Sequence, residues 1–375
     1  MMQRERYETV IVGGGQAGLS VGFHLKKQGR SFVILDAAER PGDAWRNRWD
    51  SLKLYSPAAK DGLPGMPFPA ERTAYPTKDE MANYLEAYAA RFELPVRSAT
   101  AVDTVARESD RYVATAGDQR FEADNVVVAT GVFQKPYTPE FASELDPSIV
   151  QLHSSEYRNL SQLQDGPVLV VGASHSGSDV AYEAAAEHDV VLSGKDNGQL
   201  PVPLESRRGR AGFRLLVLVG THVLNVDTPP GRKMRPHVRH GGGPLLRYRK
   251  KDLAAAGVER VLARTVGVEG GLPVLDDGRV LDVRNVVWCT GFRPDFSWLR
   301  FPFELGDDGF PVQRKGVAVS SPGLYFVGLP FLHSFASMLV AGAAKDAGWV
   351  ARHIATERAS ELEVRSGELA FGVAS

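Results

Sequence analysis

Cysteine is nearly missing from this chain of 375 residues: Cys289 is the only one. A single thiol excludes an intramolecular disulfide, a Cys-x-x-Cys redox pair and a cysteine-rich zinc site, and it fits a reducing cytosol. No metal site is expected. An excess of charge is missing too. Lys plus Arg number 44 against 45 for Asp plus Glu, a formal net charge of −1, so nothing global points to nucleic acid or an anionic membrane. Long apolar runs are also lacking. The longest, around 213–226, is interrupted by Arg214, Thr221, His222 and Asn225 and is too short and polar to span a bilayer. The opening "MMQRERYETVIVGGG" passes directly into a strand-like run without the pattern of a signal peptide. The expectation is a cytoplasmic protein with no nucleic-acid partner and no membrane partner. What remains is an ordinary soluble composition, 43% hydrophobic and 24% charged, with enough length for two domains.

Glycine is plentiful, and two clusters of it carry the argument. The first lies in "TVIVGGGQAGLSVGFHLKKQGRSFVILD": a β-branched run, Gly13-x-Gly15-x-x-Gly18, a helical pattern, and a second apolar run ending in Asp36. This layout predicts a βαβ unit with a dinucleotide fingerprint at its first turn. Gly13 permits the tight turn, Gly15 lets backbone approach a pyrophosphate, and Gly18 lets helix pack on strand. Gln16 and Ala17 complete the turn, where the helix N-terminus offers free N–H groups and a positive dipole to an anion. The second cluster, in "PVLVVGASHSGSDVAYEAAAEHDVVLSGK", repeats the layout with Gly172-x-Ser174-x-x-Gly177, enclosing His175 and Ser176. Ser174 allows a less close approach than glycine, but its hydroxyl can donate to phosphate. A G-x-S-x-G nucleophile elbow is not formed, because Ser176 stands where the last glycine would be.

Further features recur at the same interval. "NVVVATG" at 125–131 returns as "NVVWCTG" at 285–291, an offset of 160 residues against 159 for the glycine turns. Such self-similarity argues for two related dinucleotide-binding modules. Each run predicts a buried strand ending in Thr-Gly (Thr130-Gly131, then Thr290-Gly291), where backbone can meet a cofactor at the carboxyl edge of a sheet. Cys289 in the second run reads as a small core residue. The modules differ 23 residues past their first glycine, where one carries Asp36 and the other Lys195. An acid there accepts hydrogen bonds from ribose hydroxyls and repels a 2′-phosphate, whereas a lysine offers that phosphate a point charge. The expectation is FAD on the first module and NADPH on the second. With no arginine fork beside Lys195, NADH is expected to be accepted as well.

Two modules with paired "ATG" and "CTG" strands resemble the two-dinucleotide-binding-domain flavoproteins. Within them the chain is similar to the flavin-containing monooxygenases, especially the short bacterial forms and the plant auxin-forming enzymes. The resemblance covers about residues 7 to 355. It rests on "RPGDAWRNRWDSLKLYSP", "YPTKDEMANYLEAYAARFELPV", "VVGASHSGSDVA", "VVWCTGFRPDFSWL" and "GLYFVGLPFLHSFASMLVAGAAKDA". It implies an α/β fold of two Rossmann-like domains, the NADPH domain inserted in the FAD domain. The FAD domain would comprise 1–160 and 292–356, the NADPH domain 161–291, and a charged tail 357–375. It further implies that Trp45 and Arg46, of a G-x-x-W-R element, lie at FAD. The chain departs from the family at Asp43, where glycine is usual, and in the linker fingerprint, of which only "HSSEY" matches the H-S-x-x-Y form. An asparagine that some members place near the flavin is not found, and Ser56 is the nearest polar candidate.

The implied activity is a monooxygenase reaction: NADPH reduces FAD, O2 adds to give a C4a-hydroperoxyflavin, and a soft nucleophile (N or S) of a small molecule, or a ketone, takes one oxygen atom. Bound NADP+ would cover the site together with His153 and Ser154 of the linker, His153 reading equally as a satisfied linker histidine. A homodimer is expected. The alternative is an NADPH-dependent flavin oxidoreductase that passes electrons to a partner or to O2 without oxygen transfer. The basic stretches "RRGR", "GRKMRPHVRH" and "RYRKK" within 207–251 read as a solvated face or as a field attracting the polyanionic cofactor; without interleaved aromatics they do not read as a nucleic-acid site.

Overall fold

The computed structural model describes residues 3–372, with side chains for 4–357. The fold is built on two sheets. The larger runs in the order Leu299–Arg300, Thr104–Glu108, Arg111–Ala116, Gln119–Val128, Gln3–Val12, Phe32–Leu35, Val96–Arg97, and Leu324–Phe326 also pairs with Gln119–Val128. The smaller runs Glu259–Val261, Val190–Ser193, Val168–Val171, Asn285–Trp288, Val150–His153, and its pairs are all parallel. The central strands are apolar on both faces: Val10, Ile11, Val126, Val127, Val168, Leu169, Val286 and Val287 are completely buried. That is the pattern of parallel strands covered by helices above and below.

The internal repeat is visible in register. Val10 stands opposite Val126 in the larger sheet, and Leu169 opposite Val286 in the smaller. Each sheet thus places the strand that precedes its glycine turn beside its Thr-Gly strand with the same alignment. Helix Gln16–Lys27 follows the first glycine turn and buries Ala17, Leu19, Val21 and Leu25. It packs on the long helix Val340–Gly372, whose Ala343, Ala344, Ala347 and Ala351 join the same core. Alanines let two helix backbones come close.

Strands of the larger sheet come from before residue 130 and after residue 298. Strand Val150–His153, expected in the first domain's stretch 1–160, pairs instead in the smaller sheet beside Asn285–Trp288. One helix continues from Val340 to Gly372 across position 357. The side chains of the expected tail beyond 357 lie outside the described residues.

Candidate nucleotide and redox site

At the first turn, the Gly13 amide donates to the Leu35 carbonyl at 2.8 Å, closing the turn over the neighbouring strand. Gly13 has φ +111°, and a side chain there would run into the Ala129 carbonyl, immediately before Thr130. A side chain at Gly18 would collide with the carbonyl of Gly13. Gly15, which caps helix Gln16–Lys27, faces open space within 4 Å, so this is where the turn leaves room for an anion. Asp36 sits at the mouth: its two carboxylate oxygens accept from the amides of Gly14 at 2.8 Å and Ala38 at 2.9 Å.

The second turn copies this geometry atom for atom at its structural glycines. The Gly172 amide donates to Ser193 O at 2.8 Å, and side chains at Gly172 or Gly177 would strike the carbonyls of Cys289 and Gly172. Ser174 is the N-cap of helix His175–Ala184, but its hydroxyl donates to Gly243 O at 3.0 Å. The loop Gly241–Gly243 therefore lies on this helix N-terminus, with Gly243 against the His175 ring and Gly242 against Asn197. Burial pushes His175 down to about 4, opposed by a hydrogen bond with Pro244, so the ring is neutral at pH 7. Ser176 is half-buried and Lys195 exposed. The strand-end loop carrying Lys195 is pinned by Arg260, which donates to Leu192 O at 3.0 Å, Gly194 O at 2.5 Å and Lys195 O at 3.2 Å.

The segments that leave the two Thr-Gly ends meet. Gln134 donates to Thr130 Oγ1 at 2.6 Å and Gly131 O at 2.9 Å and accepts from the Asp295 amide. Thr290 donates to Tyr137 O, and Lys135–Pro136 pairs antiparallel with Phe292–Arg293. The crossings between the sheets thus run side by side. His153 lies here, buried, its Nδ1 2.8 Å from Ser155 Oγ and its Nε2 3.0 Å from Gly291 O. Both ring nitrogens are taken by structural partners, and burial lowers its pKa. Ser154, also buried, has its amide bonded to Trp288 O at 2.9 Å.

Trp45 reaches the first turn, its indole N–H donating to Gln16 Oε1 at 3.3 Å. Arg46 turns away: it bonds Pro41 O at 3.0 Å, Asp43 Oδ1 at 2.9 Å, Asn83 Oδ1 at 3.0 Å and Glu86 Oε2 at 2.5 Å. That network ties the element to helix Lys78–Arg91. Asp43, where glycine is usual in the resemblance, supplies the acceptor for Arg46 and Arg40; those bonds outweigh burial and leave its carboxyl lowered.

Three features are absent from the motif reading: the buried acceptor of Ser56, a cluster around Arg247 and a triglycine loop. Ser56 donates to Asp61, which is fully buried, pushed by burial up to about 7, and left with Oδ2 unpartnered. Tyr55 donates to Asp179 Oδ2 at 2.9 Å across the two modules, and Arg247 lies over the Tyr55 ring at 5.3 Å. Arg247 also bonds Lys53 O at 3.1 Å and Leu54 O at 2.8 Å. The third is the triglycine loop. Polar residues scattered along a chain carry no spacing signal, whereas "GGG" is visible as a run inside the basic stretch 207–251.

A cavity of about 90 Å³ opens between helix Arg207–His222 and the segment leading into the long helix, lined by Val217, Thr221, His333, Leu339, Gly342 and Asp346 among others. Asp346 is buried and pushed up to about 7 by that burial. Among the described residues no group of three or more His, Cys, Asp or Glu is arranged to hold a metal.

Comparison with known proteins agrees with this geometry. Residues 10–201 match the family described as pyridine nucleotide-disulphide oxidoreductase. An uncharacterized CzcO-like oxidoreductase of Geobacillus kaustophilus is 37% identical over 92% of this chain and 98% of its own length. The probable indole-3-pyruvate monooxygenase YUCCA7 of Arabidopsis thaliana is 32% identical over 94% of this chain and 89% of its own. A flavin-containing monooxygenase from Stenotrophomonas maltophilia superposes with TM-score 0.74 at 28% identity, covering 94% of this chain and 99% of that one. Despite the family's description, the one thiol here is half-buried beside Gly177 of the second turn, its pKa raised by desolvation, and has no cysteine partner. The chain belongs to the pyridine nucleotide-disulphide oxidoreductase family and, within it, is a flavin-dependent oxidoreductase of the flavin-monooxygenase kind.

Proposed function

We propose that the protein holds FAD at the first glycine turn, takes NADPH at the second, and uses O2 to oxygenate a nitrogen or sulfur atom, or a ketone, of a small molecule. The observation that carries this reading is the duplicated turn with an acid at one mouth and a lysine at the other. The second unit is proposed to be an insertion in the first, and the protein to be cytoplasmic.

The residues present fit a dinucleotide at both turns. Gly15 leaves the space a pyrophosphate needs at a helix N-terminus. Asp36, already fixed by two backbone donors, keeps lone pairs for ribose hydroxyls. When bound, the flavin supplies the redox and oxygen chemistry, and the protein supplies binding and orientation. Gly172 and Gly177 shape the second turn, where Ser174 exchanges its bond to Gly243 for a phosphate oxygen. His175 stays neutral and donates or accepts without adding charge. Lys195, free in solvent on a loop held by Arg260, is available to a 2′-phosphate. His153 fixes the crossing between modules, a positioning role.

The test is turnover with NADPH under ¹⁸O2 against a panel of sulfides, amines and ketones, with peroxide measured in parallel. Label in the product at the expense of peroxide is the expected result. NADPH oxidation matched mole for mole by peroxide with every compound would replace this reading with the oxidoreductase that transfers no oxygen.

A further inference from the structure

Helix Arg207–His222 is apolar on two faces. Its inward stripe, Gly209, Phe213 and Gly220, is buried, and a side chain at Gly220 would press on the Phe335 ring at 2.9 Å. Its outward stripe, at helical spacing, carries Arg208, Ala211, Leu215, Leu218 and His222. Leu215 is 60% exposed and Leu218 57%, with Val223 and Met338 of the adjoining 3₁₀ turn both 47% exposed. Water does not select leucines for such a face, and more than half of each leucine is open to solvent.

The cations beside this stripe set its partner. Arg207, Arg208 and Arg214 flank it, and Arg232 and Lys233 stand exposed on the next helix, Pro229–His240. None of these five has an ion-pair partner among the described residues, and the one acid between 207 and 240, Asp227, is held by Lys315 at 2.7 Å. A second copy docking here about a two-fold axis would bring both sets of unpaired cations together, so the charge disfavours a dimer through this face. Phe213, the one aromatic between 207 and 240, is buried, so nothing here stacks on bases. A field meant only to draw in a soluble cofactor would not need exposed leucines. Cations around an apolar stripe on a surface helix match an anionic lipid surface.

We propose that helices Arg207–His222 and Pro229–His240 form a peripheral docking surface for anionic membranes, with Leu215, Leu218, Val223 and Met338 entering the acyl boundary and Arg207, Arg208, Arg214, Arg232 and Lys233 meeting lipid phosphates. Both helices are capped for this work: Ser206 accepts from Gly209 N at 2.9 Å and Thr228 from Gly231 N at 3.2 Å, so each holds its shape at the surface. Among the described residues no helix is long and apolar enough to cross a bilayer, and an in-plane helix needs no such length. Neutral overall charge does not oppose it, because the cations are local.

The experiment is co-sedimentation of the full-length holoprotein with phosphatidylcholine vesicles and with vesicles containing phosphatidylglycerol, across salt concentrations. Binding to the anionic vesicles, at least about tenfold weaker to the neutral ones and reversed by salt, is expected, since several surface cations meet the anionic surface together. Leu215→Gln with Leu218→Gln, and separately Arg208→Glu with Arg214→Glu, should each weaken it about tenfold or more with flavin content and circular dichroism unchanged. No binding of the parent protein to anionic vesicles overturns the proposal. So does unchanged binding by the leucine pair, or a parent dimer in light scattering that the leucine pair converts to monomer. Binding that emerges only after removal of residues 358–375 would show the chain covering its own face, and would also overturn it.

Discussion

Lys195 and Asp196 stand side by side at the end of the strand facing the second turn, yet they would act on a 2′-phosphate with opposite sign. The structure separates them by pairing: Lys250 Nζ lies 2.5 Å from Asp196 Oδ2, and the Asp196 carboxyl is held low by that hydrogen bond first. Lys195 has no such engagement. Lys195→Ala should therefore weaken adenosine 2′,5′-bisphosphate about tenfold, the worth of one charge-assisted contact, and leave 5′-AMP unaffected. Lys250→Ala exposes the acid and should shift selectivity the same way. Calorimetry with the two nucleotides checks both, and equal losses for 5′-AMP would show the lysines acting on the fold. Asp61 offers a second prediction. Burial raises it from 3.8 to about 7, so between those values the folded chain keeps a proton that the unfolded chain has released. Its contribution is full below 3.8 and is lost as pH rises through about 7. Asp61→Asn keeps an acceptor for Ser56 and removes the charge. The variant should melt higher than the parent at pH 8, with a flatter dependence of Tm on pH between 5 and 8. An unchanged slope would mean that Asp61 does not titrate there.

At the scale of elements, a strand, a glycine turn and a helix form one object, because each closing glycine touches the backbone of the opening one. A methyl at Gly18 meets Gly13 O, and one at Gly177 meets Gly172 O. The two collisions are equal in kind, so Gly18→Ala and Gly177→Ala should separate the modules. The first should purify with little flavin. The second should keep its flavin, measured by absorbance, while NADPH reduces that flavin at least about tenfold more slowly at limiting concentration, a helix displaced by a fraction of an ångström being worth more than one lost contact. Flavin loss in both would mean the turns are not independent. These glycines were legible in the sequence because their role is local and their spacing is fixed by a single turn. So were the buried strands, whose apolar runs are uninterrupted, and the repeat of 160 residues, which the register of Val10–Val126 and Leu169–Val286 reproduces. The motif that implies Arg46 at FAD gives a residue's place and not its direction, and His153 reads from the sequence equally as a cover for the site and as a satisfied linker histidine. The structure gives Arg46 four partners on its own domain and gives both nitrogens of His153 to Ser155 and Gly291. Strand Val150–His153 has no signal in the sequence, where the stretch reads only as a linker: a short strand between two sheets can join either neighbour, and it pairs with Asn285–Trp288, 135 residues later in the chain.

At the scale of the molecule, the two modules are held by a cluster that no spacing announces, because its members come from 53–55, 179 and 247. Arg247 gives its guanidinium N–H groups to the Lys53 and Leu54 carbonyls of the first module and stands 3.7 Å from Asp179 of the second, while Tyr55 crosses to the same carboxylate. Asp179 is pushed up to about 6 by burial, against the pull of Arg247 and then Tyr55, so at neutral pH it is mostly charged and depends on both. A buried pair of this kind gives modest net stability, but breaking it from one side leaves an isolated charge and costs ~3–5 kcal/mol. Arg247→Met should accordingly lower Tm by several degrees and slow flavin reduction by NADPH, since it frees the Lys53–Tyr55 loop from the helix that begins at the second turn. Asp179→Asn in the same chain removes the stranded charge and should recover most of the stability, while the reduction rate stays low because the backbone carbonyls of Lys53 and Leu54 still lack their donor. Thermal unfolding and single-turnover reduction on the four members of this cycle measure the two effects separately. Additive losses in Tm would show that Arg247 acts on Asp179 through packing alone, and a reduction rate restored together with Tm would mean that the clamp stabilises the fold without setting the relation between the two nucleotide turns.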